Sequence, residues 1–80
     1  MLDTLKDIPR VVGVKQLRRA LERGQAAEVY LSRNADPALT APLEELSRRL
    51  GVPVVWVQTM QELGAACGIS VGAAAAGRLA

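Results

Sequence analysis

The sequence predicts an α/β fold, a three-layer α/β/α sandwich with a four-stranded mixed sheet. Short apolar runs alternate with amphipathic segments along the chain, which is typical of a sheet covered by helices on both faces. Half of the residues are hydrophobic, which is enough for a globular core and well above the share in disordered chains. At 80 residues the chain lies near the lower limit for one self-sufficient core. We therefore expect a single domain over residues 1–80.

The first half of the chain predicts a helix, a strand, a second helix and a second strand, in that order. We expect a short helix over residues 3–7 and a strand over residues 10–13. Residues 15–23 predict the second helix because three apolar side chains recur at the spacing of one helix face, namely Leu17, Ala20 and Leu21. Gly24 should end this helix as a left-handed cap, and the apolar residues 28–32 predict the second strand.

A third helix is predicted to follow the turn after the second strand. Asp36 is suited to the N-cap and Pro37 to the first helical position. Pro42 either marks a later start, after Thr40, or kinks the first turn. Gly51 should end the helix. The side chains expected on its inner face are Leu39, Leu43, Leu46 and Leu50.

The last third of the chain predicts a strand, a helix and a closing strand. Residues 53–57 form a continuous apolar run, which is typical of a strand covered on both faces. Thr59 should cap a helix over residues 60–67, with Glu62 completing a capping box. Residues 69–79 are rich in alanine, which favours helix, but glycines interrupt them. The alternation of elements calls for a strand there, and we follow the alternation.

Charge is concentrated in one segment of the chain. Residues 10–23 hold five basic residues and one acid, a net charge of +4, whereas the rest of the chain has a net charge of −2. A concentrated basic segment is what a site for a polyanion requires. The competing interpretation is a solvated helix face with an Arg18–Glu22 pair four residues apart. Charge alone does not separate the two.

Enzyme, metal and membrane functions find little support in the sequence. The chain has no histidine, the usual acid–base residue at neutral pH, and one cysteine, Cys67, which we expect to be a small buried hydrophobe. Glycines recur at 64, 68 and 72 without the lysine of a phosphate-binding loop, so turns and close backbone approach explain them better. No apolar run approaches the roughly 20 residues that span a bilayer. We expect a cytoplasmic, non-catalytic domain without cofactor or metal.

The start of the second helix is the strongest candidate for a binding site. Lys15, Gln16 and Arg19 have no evident packing role and cluster on one face where a strand hands over to a helix. Unpaired N–H groups at a helix N-terminus favour anions, and an amide suits base edges. Tyr30 and Trp56, the two aromatic residues, lie in predicted strands, which argues against stacking of single strands. The pattern favours a structured RNA whose groove is locally widened.

Three motifs resemble one known family. Residues 13–24 resemble the second-helix motif of the L7Ae/L30e ribosomal-protein superfamily, and residues 34–37 resemble the turn that reads Asp-Ala-Asp-Pro in that family. Residues 63–74 are similar to its C-terminal loop and strand. The resemblance covers essentially the whole chain, in order, and points to the small bacterial YbxF/YlxQ-type members.

The resemblance implies an α/β/α sandwich that binds kink-turns, which are RNA bends built on tandem sheared G·A pairs. It implies that Gly13 lets the turn approach the RNA backbone and that Lys15 and Gln16 contact the guanines. Ser70 stands where Glu is common in related members, which leaves the preference for flanking bases open. The implied RNA-binding residues are Gly13, Val14, Lys15, Gln16, Arg19, Arg23, Ile69, Ser70 and Val71.

Two function classes follow from these observations. The first is a monomeric RNA-binding protein that stabilises a kink-turn in structured RNA, such as ribosomal RNA or a structured leader RNA. The second is a protein-interaction module, because relatives of this fold can serve as assembly adaptors. The basic segment beside Gln16 favours RNA, since an adaptor would have less reason to concentrate cations there.

Overall fold

The structure, a computed structural model, describes residues 2–80 and the side chains of residues 5–80. A 3-10 helix precedes an alternating series of four strands and three α-helices. The elements are the 3-10 helix Leu2–Asp7, β1 Arg10–Val12, α1 Val14–Glu22, β2 Ala26–Ser32, α2 Pro37–Arg49, β3 Val54–Val57, α3 Met60–Ala66 and β4 Ala75–Leu79. The first predicted helix is therefore a 3-10 helix, and the other predicted helices are present.

The four strands form one mixed sheet in the order β1-β4-β2-β3. β4 runs antiparallel to both of its neighbours, and β2 runs parallel to β3. Helices α1 and α2 cover one face around a core that includes Leu17, Leu31 and Leu43. The 3-10 helix and α3 cover the other face around Tyr30 and Leu63. The predicted three-layer α/β/α sandwich with a four-stranded mixed sheet is confirmed.

The local sequence signals at the helix ends act as predicted. The Asp36 carboxylate accepts a hydrogen bond from the Ala38 N–H at 3.0 Å, at the N-terminus of α2. Thr59 and Glu62 form the predicted capping box at α3. Each α-helix ends at a glycine with positive φ, and in each case two backbone hydrogen bonds close the last turn. Gly24 and Gly51 end α1 and α2 as predicted, and Gly68, for which no such role was predicted, ends α3 in the same way.

The inner face of α2 differs from the predicted leucine stripe. Leu43 is buried, but Leu39 and Leu50 are 44% and 50% exposed. The helix instead buries Thr40 and Ser47. Small hydroxyl side chains can face the sheet when the helix itself satisfies them, and the Ser47 hydroxyl donates to the Leu43 carbonyl at 2.7 Å. Pro42 lies inside the helix, which begins at Pro37 and not after Thr40.

The last two strands match their predictions to different degrees. β3 is an edge strand, paired only with β2, and its first three residues are half-buried. Its side chains nevertheless contact the cores on both faces of the sheet, as predicted, Val54 and Trp56 on the α1–α2 face and Val55 and Val57 on the α3 face. The closing strand begins at Ala75, not at residue 69. Residues 69–74 form a loop because their backbone hydrogen bonds are made to α3 and to the end of β2, not to a neighbouring strand in a ladder. The Ala73 N–H donates to the Met60 carbonyl, and the Ala74 carbonyl accepts from the Ser32 N–H.

Strand direction brings the helix starts to one end of the sheet. β1, β2 and β3 run in the same direction, and β4 runs against them. The C-terminal ends of three strands therefore lie beside the start of β4, and α1, α2 and α3 all begin there. We call this the site end of the sheet. It is defined by the residues that follow β1, β2 and β3 and precede β4, which are Gly13, Arg33, Gln58 and Ala74.

Candidate nucleic-acid interface

The start of α1 is fixed to the sheet by its backbone. Gly13 is the N-cap residue, with φ 108° and ψ 155°, and no side chain caps the helix. Its N–H donates to the Ala75 carbonyl at 2.9 Å, and its carbonyl accepts from the Leu17 N–H at 3.0 Å. The first-turn N–H groups of α1 therefore have no side-chain partner within the helix start, and the positive end of the helix dipole lies at the site end.

Glycine at position 13 is favoured by its backbone conformation, and the Gln16 side chain lies over it. A side chain at φ 108° would be strained. A Cβ atom there would also lie 2.6 Å from the Gln16 Oε1 atom, so the Gln16 amide lies over Gly13. Lys15 and Gln16 are exposed, whereas Leu17 and Leu21 on the opposite side of α1 are fully buried. Packing of the apolar face thus directs the polar face toward solvent.

A shallow cavity continues from Gln16 along α1. It has a volume of about 140 Å³ and lies between the helix and the outer strand β1. Arg19 and Arg23 follow Gln16 at helical spacing, so two cations line this cavity, which we call the α1 groove, on the side toward the C-terminus of α1. The residues around it are Val11, Gln16, Arg19, Ala20, Arg23 and Gln25.

The C-terminal loop, residues 69–74, is held against α3 and β2. A Cβ atom on Gly64 would lie 2.0 Å from the Val71 carbonyl oxygen, so only glycine allows the loop to approach α3 this closely. The Ser32 hydroxyl donates to the Ala73 carbonyl at 2.7 Å. Val71 is 68% exposed and Ser70 is exposed, whereas Ile69 is half-buried against the core on the α3 face. The loop therefore presents Ser70 and Val71, and Ile69 contributes to the core.

The structure brings the two predicted segments to the same end of the sheet. The hydrogen bond from Gly13 to Ala75 places the start of α1 directly beside the end of the C-terminal loop. Gly13, Val14, Lys15 and Gln16 thus lie on one side of β4, and the loop leads into β4 from the other side. Arg23 is separated from this end by the length of α1.

One member of the basic segment has a structural role that the sequence did not indicate. The Arg10 guanidinium donates to the Cys67 carbonyl at 3.0 and 2.7 Å and to the Ile8 carbonyl at 3.4 Å. It therefore satisfies the Cys67 carbonyl at the C-terminus of α3 and ties the segment before β1 to that helix end. Within the part of the chain that the structure describes, the ion pairs are Arg48–Glu44 and Arg78–Glu28, so the considered Arg18–Glu22 pair does not form.

Two residues at the site end were missed from the sequence. Arg33 and Asn34 follow β2 directly. The Asn34 Oδ1 atom accepts from the Met60 N–H at 2.8 Å and so joins the turn after β2 to the start of α3. The Arg33 guanidinium lies over the Trp56 ring, 5.6 Å from its centroid. Both residues could have been found by asking which polar residues follow a strand that runs parallel to β1.

Titratable groups in the described core are held in their neutral forms. Burial raises the pKa of the Cys67 thiol, although the nearby Arg10 charge opposes this. Burial, together with the Glu28 carboxylate that accepts from the Tyr30 hydroxyl, raises the pKa of Tyr30 to about 12.

Among the side chains described, no group of three or more potential ligands for a metal ion occurs. No helix in the described region is long and apolar enough to cross a membrane.

Comparison with known proteins identifies relatives over nearly the whole chain. The model of the ribosomal protein L7Ae/L30e/S12e/Gadd45 family matches residues 4–80. An RNA-binding protein of Bacillus pumilus is 46% identical over 65 residues, which cover 81% of this chain and 79% of the relative. The RNA-binding protein YbxF of Geobacillus stearothermophilus is 43% identical over the same shares. Among solved structures, the Giardia lamblia 15.5kD RNA binding protein superposes with a TM-score of 0.91 at 26% identity, covering 99% of this chain and 70% of that one.

Proposed function

We propose that this chain, which belongs to the ribosomal protein L7Ae/L30e/S12e/Gadd45 family, is a non-catalytic RNA-binding protein that recognises kink-turns. The observation that carries the proposal is the uncapped start of α1, which exposes Lys15 and Gln16 and is joined by Gly13 to Ala75 at the end of the C-terminal loop. The names of the relatives in Bacillus and Geobacillus, both RNA-binding proteins, support RNA as the ligand. We propose that residues 1–80 act as one monomeric cytoplasmic domain.

The proposed base contacts follow from the chemistry of the two exposed side chains. Gln16 carries an amide with both a donor and an acceptor, so it can pair with a guanine edge that presents both. Lys15 offers donors only, which suits the O6 and N7 acceptors of guanine or a phosphate oxygen. Ordinary A-form RNA hides its base edges in a deep groove. A bent RNA with tandem G·A pairs exposes these edges, which is why we propose this ligand.

The remaining residues of the proposed site contact the RNA on either side of the bases. Arg19 and Arg23, which line the α1 groove, would bind phosphates. Ser70 and Val71, exposed on the C-terminal loop, would pack against unstacked bases. Ile69 would support the loop from the core side, since it is half-buried. A ribosomal RNA is one source of such a ligand, in keeping with the name of the family.

A titration with two RNAs tests the proposal. One RNA contains a kink-turn, and the other differs only in that Watson–Crick pairs replace the tandem G·A pairs. We expect the kink-turn RNA to bind at least about tenfold more tightly at a fixed salt concentration. Both affinities should weaken as salt rises, because binding releases counterions from phosphates. Equal affinity for the two RNAs would contradict kink-turn recognition, and a lack of binding to both would favour the adaptor function.

A further inference from the structure

Arg33 is held in place at the site end of the sheet by its backbone and by its side chain. It follows the last residue of β2, and its N–H donates to the Val57 carbonyl at 2.7 Å. The guanidinium lies over the Trp56 ring at 5.6 Å from the centroid, within the range of a cation–π contact. Trp56 is itself half-buried against the core beneath α1 and α2. The position of the Arg33 charge is therefore set before any ligand arrives.

The Arg33 guanidinium has donors to spare. Arg33 is exposed, and neither of the ion pairs among the described residues includes it. No hydrogen bond from its guanidinium occurs within residues 5–80 either, whereas the Arg10 guanidinium is occupied by backbone carbonyls. Stacking on an aromatic face leaves the in-plane N–H groups of arginine free for a phosphate. Arg33 is thus a preorganised cation without a protein acceptor among the described side chains.

The position of Arg33 relates it to the proposed RNA site. Alternation along β2 places Val29 and Leu31 in the core beneath α1 and α2, and Arg33 continues this register. Arg33 and Lys15 therefore lie on the same side and at the same end of the sheet. β1 and β2 are two strand spacings apart, or about 10 Å. The guanidinium lies over Trp56 of the edge strand β3. The Arg33 charge is therefore farther from the start of α1 than β2 is.

We infer that Arg33, stacked on Trp56, binds a phosphate of the bound RNA on the β3 side of the site end. The inference rests on the proposed function. It adds a second cationic contact, separated from the start of α1 by at least two strand spacings. One short domain would in this way hold the RNA backbone on both sides of the bases that Gln16 contacts.

The test measures the affinity for the kink-turn RNA at a series of salt concentrations. We expect Arg33→Ala and Arg33→Gln to weaken binding about three- to tenfold and to lower the slope of log affinity against log salt by about 0.7–0.9, the value for one phosphate. Arg33→Gln keeps part of the stem on Trp56 while removing the charge. The matched control is Arg48→Ala, because Arg48 is also exposed and lines a cavity with Trp56 but is paired with Glu44. The control should keep the wild-type slope.

Fluorescence gives a second readout that does not depend on affinity. Trp56 is the single tryptophan of the chain, so its emission reports on this position alone. Saturating RNA should change the emission of the wild type and of Arg48→Ala, and the change should be much smaller in Arg33→Ala. Wild-type slope and emission change in both Arg33 variants would overturn the inference while leaving kink-turn binding intact. Equal loss in Arg48→Ala would also overturn it. Absence of RNA binding by the wild type would overturn both proposals.

Discussion

The start of α1 and the C-terminal loop lie at the same end of the sheet but are held there by different kinds of contact. α1 is a regular helix whose buried Leu17 and Leu21 pack on the sheet, so its polar face is fixed by its own periodicity. The loop has no regular structure and depends on partners distant in the sequence. Its position is set by Met60, Gly64 and Ser32, which contact its backbone.

This difference indicates how each segment would serve the proposed function. A side chain on a packed helix, such as Gln16, is held in one direction and suits the reading of a base edge. A loop held by its backbone leaves an exposed side chain, such as that of Val71, free to adapt to an unstacked base. The loop should therefore be sensitive to changes in α3, where no RNA contact is proposed, and the start of α1 should not.

The largest expected effect is that of Gly64→Ala, which acts on the loop from within α3. Alanine would gain about 1 kcal/mol of helix propensity over glycine. The new Cβ atom would, however, lie 2.0 Å from the Val71 carbonyl oxygen, which is backbone and has no rotamer to change. We expect the overlap to dominate and to lower the free energy of unfolding by about 3 kcal/mol. Urea unfolding measures the loss, and affinity for the kink-turn RNA should fall with it.

Gly24→Ala is the matched control for this prediction. Gly24 ends α1 at φ 68°, but within the described part of the chain no atom beyond its two chain neighbours lies within 4 Å of the position of its Cβ. Alanine there should cost only about 1 kcal/mol, the strain of the left-handed conformation, and should leave RNA affinity unchanged. If Gly64→Ala were no less stable than Gly24→Ala, the loop would not be held by close approach to α3.

The elements that the sequence predicted correctly are those specified by neighbouring residues. The capping box at Thr59, the N-cap at Asp36 and the glycine ends of α1 and α2 each depend on a few consecutive positions. The family resemblance and the mixed sheet were predicted correctly too. The exposure of Lys15 and Gln16 follows from the apolar spacing of α1. A single sequence is enough to predict these features because the residues that interact in each of them are close together along the chain.

The features that were missed depend on contacts between distant residues. Arg10 was counted with the basic segment, but its guanidinium binds the Cys67 carbonyl, 57 positions away. The strand predicted from residue 69 begins at Ala75, because the preceding backbone bonds to residues in α3 and β2. Arg33 was missed because its stacking on Trp56 requires the pairing of β2 with β3. These contacts join residues that are far apart in the sequence, so no pattern of residue spacing predicts them.

The next effect concerns the start of α1 and should appear in RNA discrimination alone. Gln16→Ala removes the amide but changes no buried group, so thermal stability should stay near the wild-type value. The difference in binding free energy between the kink-turn RNA and the RNA without G·A pairs should shrink by about 1–3 kcal/mol, the scale of one base contact. Paired titrations measure this difference. Arg23→Ala serves as the control, because loss of a phosphate contact should weaken both RNAs alike. An unchanged difference in Gln16→Ala would reject the base contact.

The smallest effect is expected at the exposed tip of the loop. Val71→Ala removes two methyl groups from a side chain that is 68% exposed, so the free energy of unfolding should change by less than about 0.5 kcal/mol. If Val71 packs on an unstacked base, the same substitution should weaken kink-turn binding by about 1 kcal/mol. Leu50→Ala, at an equally apolar site that is 50% exposed at the far end of α2, is the matched control and should bind normally. Equal affinities of the two variants would contradict a base contact by Val71. The loop would then support the site only through its backbone, whereas α1 would contact the RNA through the Gln16 side chain.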